Sequence, residues 1–138
     1  MNQVKYRLAK LVASAQRNKP NYQIHRRVLM YHSISEYKPS GKNIYTLSQQ
    51  YFAQHVELLH QLHKTENSKI VKLDSADNSG ITITFDDGYR DTLTIAAQIL
   101  SDKGFPFTVF VSSANITSGD SKFLNRQELI ELSKTSGV

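Results

Sequence analysis

Ile81-Thr82-Ile83-Thr84-Phe85-Asp86-Asp87-Gly88 carries the clearest structural signal in this 138-residue sequence. Residues 81–85 are all β-branched or aromatic, which predicts a buried strand. The strand stops at two adjacent aspartates followed by a glycine, which lets the backbone turn so that both carboxylates face the same mouth. In α/β folds the carboxyl ends of strands open onto the face where ligands bind. The stretch therefore predicts a buried strand with a candidate site at its end.

Strand and helix patterns lie on both sides of this stretch. Upstream, the sequence predicts a buried strand over 27–34, a helix over 48–63 capped by Ser48, and a brief strand over 69–73. Downstream, it predicts a helix ended by Lys103-Gly104, a strand over 105–111 and a helix opened by an Asn125–Glu128 capping box. This alternation indicates an α/β protein with mainly parallel strands. The sequence stops where a further strand is expected, so we expect an unpaired sheet edge or an unclosed barrel.

The distribution of charge divides the chain into two parts. The formal net charge is +5 and the pI is about 9.5, but no acidic residue precedes position 28. Residues 1–27 are therefore a basic leader, predicted to be helical, and residues 28–138 form the body of one domain. No aromatic-interleaved basic stripe accompanies the charge, so we expect no nucleic-acid partner.

Composition also bears on the cellular setting. The sequence has no cysteine, which excludes disulfides and thiolate metal sites. No apolar run is long enough to span a membrane and no signal-peptide pattern opens the chain, so a cytoplasmic location is expected. Val4, Leu8 and Leu11 could share one face of a leader helix, which is either an ordinary surface helix or a weak contact with an anionic membrane surface. The sequence leaves the oligomeric state open.

The adjacent aspartates admit several interpretations. Asp-Asp-Gly is a common polar turn after a strand. Alternatively, two carboxylates held close together repel each other unless a cation or a proton relieves them, and a divalent metal with a bound water would suit hydrolysis. Haloacid dehalogenase phosphatases separate their two aspartates by one residue, unlike this chain. Receiver domains need an aspartate at a later strand end, where this sequence has Ser112-Ser113.

Several segments in order resemble the polysaccharide deacetylases of carbohydrate esterase family 4, the NodB-homology domain. Thr84-Phe85-Asp86-Asp87-Gly88-Tyr89 matches the first motif of that family. Residues 28–34 are similar to an opening strand of one branch, residues 107–111 to the next core strand, and residues 125–138 to the helix before the second motif. The resemblance implies the N-terminal portion of a distorted (β/α) barrel of the glycoside hydrolase-deacetylase type, incomplete over 28–138.

The resemblance also implies a reaction and its residues. The family removes N-acetyl groups from an amino-sugar polysaccharide or glycan, with Asp86 corresponding to the general base and Asp87 to a ligand of a divalent metal, for which zinc is expected. The remaining ligands, two histidines of an H-x-x-x-H motif, are expected just beyond Val138, where this sequence stops. We therefore expect the chain by itself to be inactive and not to retain the metal. The alternative is a non-catalytic relative that binds glycan or has no activity.

The five histidines of the chain differ in their placement. His55, His60 and His63 fall on the predicted helix of residues 48–63, away from the strand ends, so structural roles are expected for them. His25 belongs to the basic leader. His32 lies at a strand end and is the candidate for lining the active site and contacting substrate.

Overall fold

The computed structural model describes residues 26–37, 43–66, 68–77 and 79–138. The strands are β1 (Arg27–Tyr31), β2 (Ser33–Ser35), β3 (Thr46–Ser48), β4 (Ile81–Phe85) and β5 (Thr108–Val109). The helices are α1 (Gln49–Glu66), α2 (Ala97–Ser101), α3 (Ser113–Thr117) and α4 (Arg126–Leu132), and a π-helical segment (Thr92–Ala96) runs directly into α2. The predicted leader helix and His25 lie outside the described residues.

The strands form two sheets, and the strand pairing within each sheet is parallel. One sheet has the order β1-β4-β5, and β2 pairs with β3 in the other. Within the described residues both sheets are open. The predicted α/β class with parallel strands and an unclosed barrel is therefore confirmed.

Strand β4 is the centre of the larger sheet. All five of its residues are buried, as their β-branched and aromatic side chains predict. The side chains of Ile83 and Phe85 are fully buried, and Phe52 of α1 packs edge-on against Phe85 at a ring distance of 5.8 Å. The buried core thus lies between this sheet and the helices that cover it.

Two helix predictions are confirmed at the level of individual caps. Helix α1 begins after Ser48, whose Oγ accepts a 3.4 Å hydrogen bond from the N–H of Tyr51. Helix α4 opens with the predicted capping box, in which Asn125 Oδ1 accepts from the N–H of Glu128 and the Glu128 carboxylate accepts from the N–H of Asn125. Each cap satisfies backbone donors that have no partner within the helix.

Three strand predictions were too long. Residues 27–34 form two strands rather than one, and Val28 and Met30 are 52% and 59% exposed because they point to the uncovered face of the sheet. Residues 69–73 contribute only an isolated bridge between Ile70 and Ile81. In the segment 105–111 only two residues pair as a strand, since Pro106 lacks an N–H group and Phe107 donates instead to Gly137 O.

Across the described part of the chain, none of the helices combines the length and the apolar character that a membrane crossing requires.

Candidate active site

The two aspartates follow directly from the end of β4. The N–H of Asp86 donates a 2.9 Å hydrogen bond to Tyr31 O, which continues the pairing between β4 and β1 by one residue. Asp87 then takes a left-handed conformation with φ 69°, and Gly88 follows with φ 72°. Aspartate tolerates this region better than most residues, and glycine adopts it freely. The strand therefore ends in a sharp turn at the acidic pair.

Neighbouring segments hold this turn in place. Asn115, in α3, donates from Nδ2 to Asp87 O at 3.1 Å, and the N–H of Leu124 donates to Gly88 O at 2.9 Å. A Cβ atom on Gly88 would lie 3.2 Å from Val111 Cγ1, so the space beside the glycine is nearly full. The turn that carries the aspartates is thus fixed from two sides.

Asp86 and Asp87 line the same open groove, which has a volume of about 520 Å³. The half-buried Asp86 and the exposed Asp87 therefore face one mouth, as the strand-end glycine led us to expect. The rest of the wall is mainly apolar and comes from β1, the end of β4 and the two segments beside it: Val28, Met30, Leu73, Thr84, Phe110, Val111 and Ser112. The groove pairs a small acidic end with an apolar wall.

The acidic pair supplies part of a metal site and not all of it. From the described residues, neither carboxylate receives a hydrogen bond or a salt bridge, so their oxygens are available to a ligand. However, the described residues contain no group of three or more His, Asp or Glu side chains that could hold a metal ion. Because a catalytic zinc normally has three protein ligands, the aspartates do not fit a complete metal centre.

His32 lies beside Asp86 at the edge of the sheet. Tyr31 pairs with Phe85, so the residues that follow them, His32 and Asp86, are neighbours on adjacent strands. The imidazole is half-buried and contacts the ring of Tyr45, with 5.1 Å between ring centroids. His32 is not among the residues that line the groove of the two aspartates, so its role in substrate contact stays a prediction.

The helix histidines have structural surroundings, as expected. His55 Nδ1 lies 3.3 Å from the hydroxyl of Tyr31, and burial lowers the pKa of His55. His63 Nδ1 lies 2.9 Å from Ser68 O at the end of α1. The ring of His60 lies near that of Phe105, with centroids 5.9 Å apart and planes tilted by 57°. All three contacts lie away from the aspartate groove.

Two features near the site were missed in the sequence. The short helix α3 brings Asn115 to Asp87, and its signal was Ser112, whose side chain accepts from the N–H of Asn115 at the helix start. The second is a hydrogen bond of 2.6 Å from Ser33 Oγ to Asp91 Oδ2, which no local pattern indicates because 58 positions separate the two residues. Both features hold the segments around the acidic turn.

The segment after the turn is anchored to the start of α4. The rings of Tyr89 and Phe123 lie 4.8 Å apart, and Arg90 Nε forms a 3.0 Å salt bridge with Glu128. Burial raises the pKa of Tyr89, and the negative charge of Asp87 acts in the same direction. The capping residue of α4 thereby also fixes the chain beside the acidic pair.

Residues 74–137 match the sequence model for polysaccharide deacetylase. A search of curated proteins gives no significant match.

Solved structures of deacetylases share this fold. A Streptococcus pyogenes deacetylase, PplD, in complex with acetate is 20% identical with a TM-score of 0.64, over 82% of this chain and 54% of that one. IcaB from Ammonifex degensii is 20% identical with a TM-score of 0.66, over 83% of this chain and 51% of the other. A Bacillus cereus polysaccharide deacetylase is 22% identical with a TM-score of 0.64, over 82% and 37%.

The chain spans about half the length of the first two of these structures. The matched residues 74–137 include β4, the acidic turn and the helices that hold it. The sequence match over residues 74–137 and the fold shared with solved deacetylases are consistent with a partial polysaccharide deacetylase domain.

Proposed function

We propose that the chain contributes the acidic half of an active site that removes N-acetyl groups from an amino-sugar polysaccharide or glycan. The observation that carries the proposal is the acidic turn itself. Asp86 and Asp87 end the central strand of the sheet, face one open groove, and receive no hydrogen bond or salt bridge from the described residues. The family match over residues 74–137 supports the reaction class.

In this proposal Asp86 is the general base. Hydrolysis of an acetamide requires a water to attack the carbonyl carbon while losing a proton, and a positioned carboxylate can accept that proton. Asp86 is the better placed of the two aspartates, because it is half-buried and its backbone is held in the pairing with Tyr31. The amide nitrogen then leaves with a proton and acetate is released.

Asp87 is proposed as one ligand of a divalent metal, with zinc as the expected ion. Its carboxylate is exposed at the groove mouth, and the left-handed backbone turns it toward the same space as Asp86. A divalent metal held there would polarise the substrate carbonyl and lower the pKa of a bound water. Because the described residues do not complete a metal centre, we propose that the 138-residue chain by itself releases no acetate.

His32 is proposed to contact the substrate from the neighbouring strand. Its backbone lies next to Asp86, and its ring is held by Tyr45 at 5.1 Å. The domain boundaries at residues 27 and 28 and the cytoplasmic location stay predictions from the sequence.

Acetate release from N-acetylglucosamine oligomers tests the proposal. The protein purified from its source cells should release acetate and leave free amines on the sugar. The isolated 138-residue chain, with or without added zinc, should release none. If the protein purified from its source cells binds the oligomers without releasing acetate, the glycan-binding alternative is supported instead. Acetate release by the isolated chain would overturn the proposed inactivity.

A further inference from the structure

Tyr45 is a large aromatic side chain at the edge of the candidate site that is left 56% exposed. Its ring lies against His32, with centroids 5.1 Å apart and planes tilted by 59°. The roles assigned above use Tyr45 only as a neighbour of the His32 ring. The ring is therefore open to a ligand that contacts His32.

The backbone places Tyr45 in line with the proposed general base. His32 follows Tyr31, and Asp86 follows Phe85, so these two residues are neighbours across β1 and β4. On the other side, the N–H of Ser33 donates to Tyr45 O at 3.1 Å, which sets Tyr45 beside His32. Asp86, His32 and Tyr45 therefore form a row across the sheet edge, and two strand spacings, about 10 Å, separate the outer backbones.

The loop that carries Tyr45 is ordered by its own side chains. Asn43 Oδ1 accepts a 3.0 Å hydrogen bond from the N–H of Tyr45, and Asn43 Nδ2 donates to Thr46 Oγ1 at 2.9 Å. The asparagine thus closes a local turn on both sides of the tyrosine. Because the backbone is fixed before any ligand arrives, binding to the ring costs less conformational entropy.

We propose that Tyr45, together with His32, forms a subsite that stacks on a pyranose ring of the polysaccharide. A pyranose presents a face of C–H groups that packs on an aromatic ring, while its hydroxyl groups remain at the edge in water. The row from Asp86 to Tyr45 is comparable in length to a disaccharide. The sugar on Tyr45 would therefore lie next to the sugar whose acetamide reaches Asp86.

This inference rests on the proposed function, since it specifies how the same site holds its polymer. It assigns Tyr45 a role in affinity and not in the chemical step.

Binding of an N-acetylglucosamine pentamer to the 138-residue chain, followed by NMR, provides the test. The Tyr45 ring resonances should shift on titration, and Tyr45→Ala should raise the dissociation constant about fivefold. Tyr45→Phe keeps the ring and should bind as the wild type does. Tyr37→Ala is the matched control, because Tyr37 is 78% exposed and, among the described ring contacts, His32 pairs with Tyr45 and not with Tyr37. Circular dichroism verifies that each variant is folded.

The outcomes distinguish failure of the Tyr45 subsite from failure of the proposed reaction. Undiminished binding by Tyr45→Ala, or equal weakening by Tyr37→Ala, overturns the subsite and leaves the proposed reaction standing. If the wild-type chain binds no oligomer, the subsite is overturned. Acetate release by the protein purified from its source cells then tests the proposed function separately.

Discussion

The hydroxyl of Ser33 donates a 2.6 Å hydrogen bond to Oδ2 of Asp91, and this bond joins β2 to the segment that follows the acidic turn. The other carboxylate oxygen of Asp91 is buried without a partner among the described residues. A buried carboxylate with one unpaired oxygen is costly. Ser33 is adjacent to His32, so the bond also fixes the strand end beside Asp86.

Asparagine at position 91 is expected to change how stability depends on pH. Burial raises the pKa of Asp91, although hydrogen bonding from Ser33 opposes the shift. Because the folded state holds this proton more tightly, the stabilisation is fully present below the ordinary carboxyl pKa of about 4 and is lost as pH rises through the raised value. Urea unfolding of the wild type should therefore show a loss of stability in this range that Asp91→Asn lacks.

Asp74→Asn serves as the control, since Asp74 is an exposed carboxylate on a different segment. It should keep the pH dependence of the wild type. An unchanged slope in Asp91→Asn would show that Asp91 is not a source of the pH dependence.

His55 should make stability depend on pH in the opposite sense to Asp91, with stability lost as the pH falls. Burial lowers the pKa of His55, so its stabilisation is fully present above the ordinary histidine pKa of about 6.5 and is lost as pH falls through the lowered value. His55→Gln should flatten part of this acid loss in unfolding followed by circular dichroism. Some slope should remain from His60, whose pKa desolvation also lowers. His63→Gln, at an exposed position of the same helix, should retain the full loss, and equal slopes in the two variants would refute the assignment.

Alanine at position 88 should destabilise the fold more than alanine at position 104. Both glycines have left-handed backbones, with φ 72° at Gly88 and φ 66° at Gly104, so each substitution costs about 1 kcal/mol of backbone strain. Only Gly88 is crowded, because a Cβ there would lie 3.2 Å from Val111 while nothing lies within 4 Å of one on Gly104. We expect an additional cost of about 1 kcal/mol for Gly88→Ala in urea unfolding. Equal costs would indicate that the turn can shift away from Val111.

The sequence predicted the features that depend on local patterns. The buried strand 81–85, the Ser48 cap and the Asn125–Glu128 capping box follow from residue types at fixed spacings, and all are confirmed. The orientation of both aspartates into one groove was also predictable, because a glycine after a strand permits the required turn.

Features that depend on distant contacts were not predictable in the same way. Residues 105–111 are apolar enough for a strand, yet Phe105 and Phe107 are buried in the core while Phe110 is 49% exposed. Whether such a segment pairs depends on its neighbours, here the carbonyl of Gly137. The row formed by Asp86, His32 and Tyr45 likewise depends on strand register, which the sequence pattern does not specify.

Two variants of the protein purified from its source cells best test the different roles assigned to Asp86 and Asp87. The measurements are acetate release and zinc content. Asp86→Asn should lower kcat by about 10²- to 10⁴-fold with zinc content unchanged, because only the proton acceptor is lost. Asp87→Asn should weaken zinc binding by at least about tenfold, and added zinc should restore part of its activity. Full activity in Asp86→Asn, or unchanged zinc affinity in Asp87→Asn, would contradict the proposed roles.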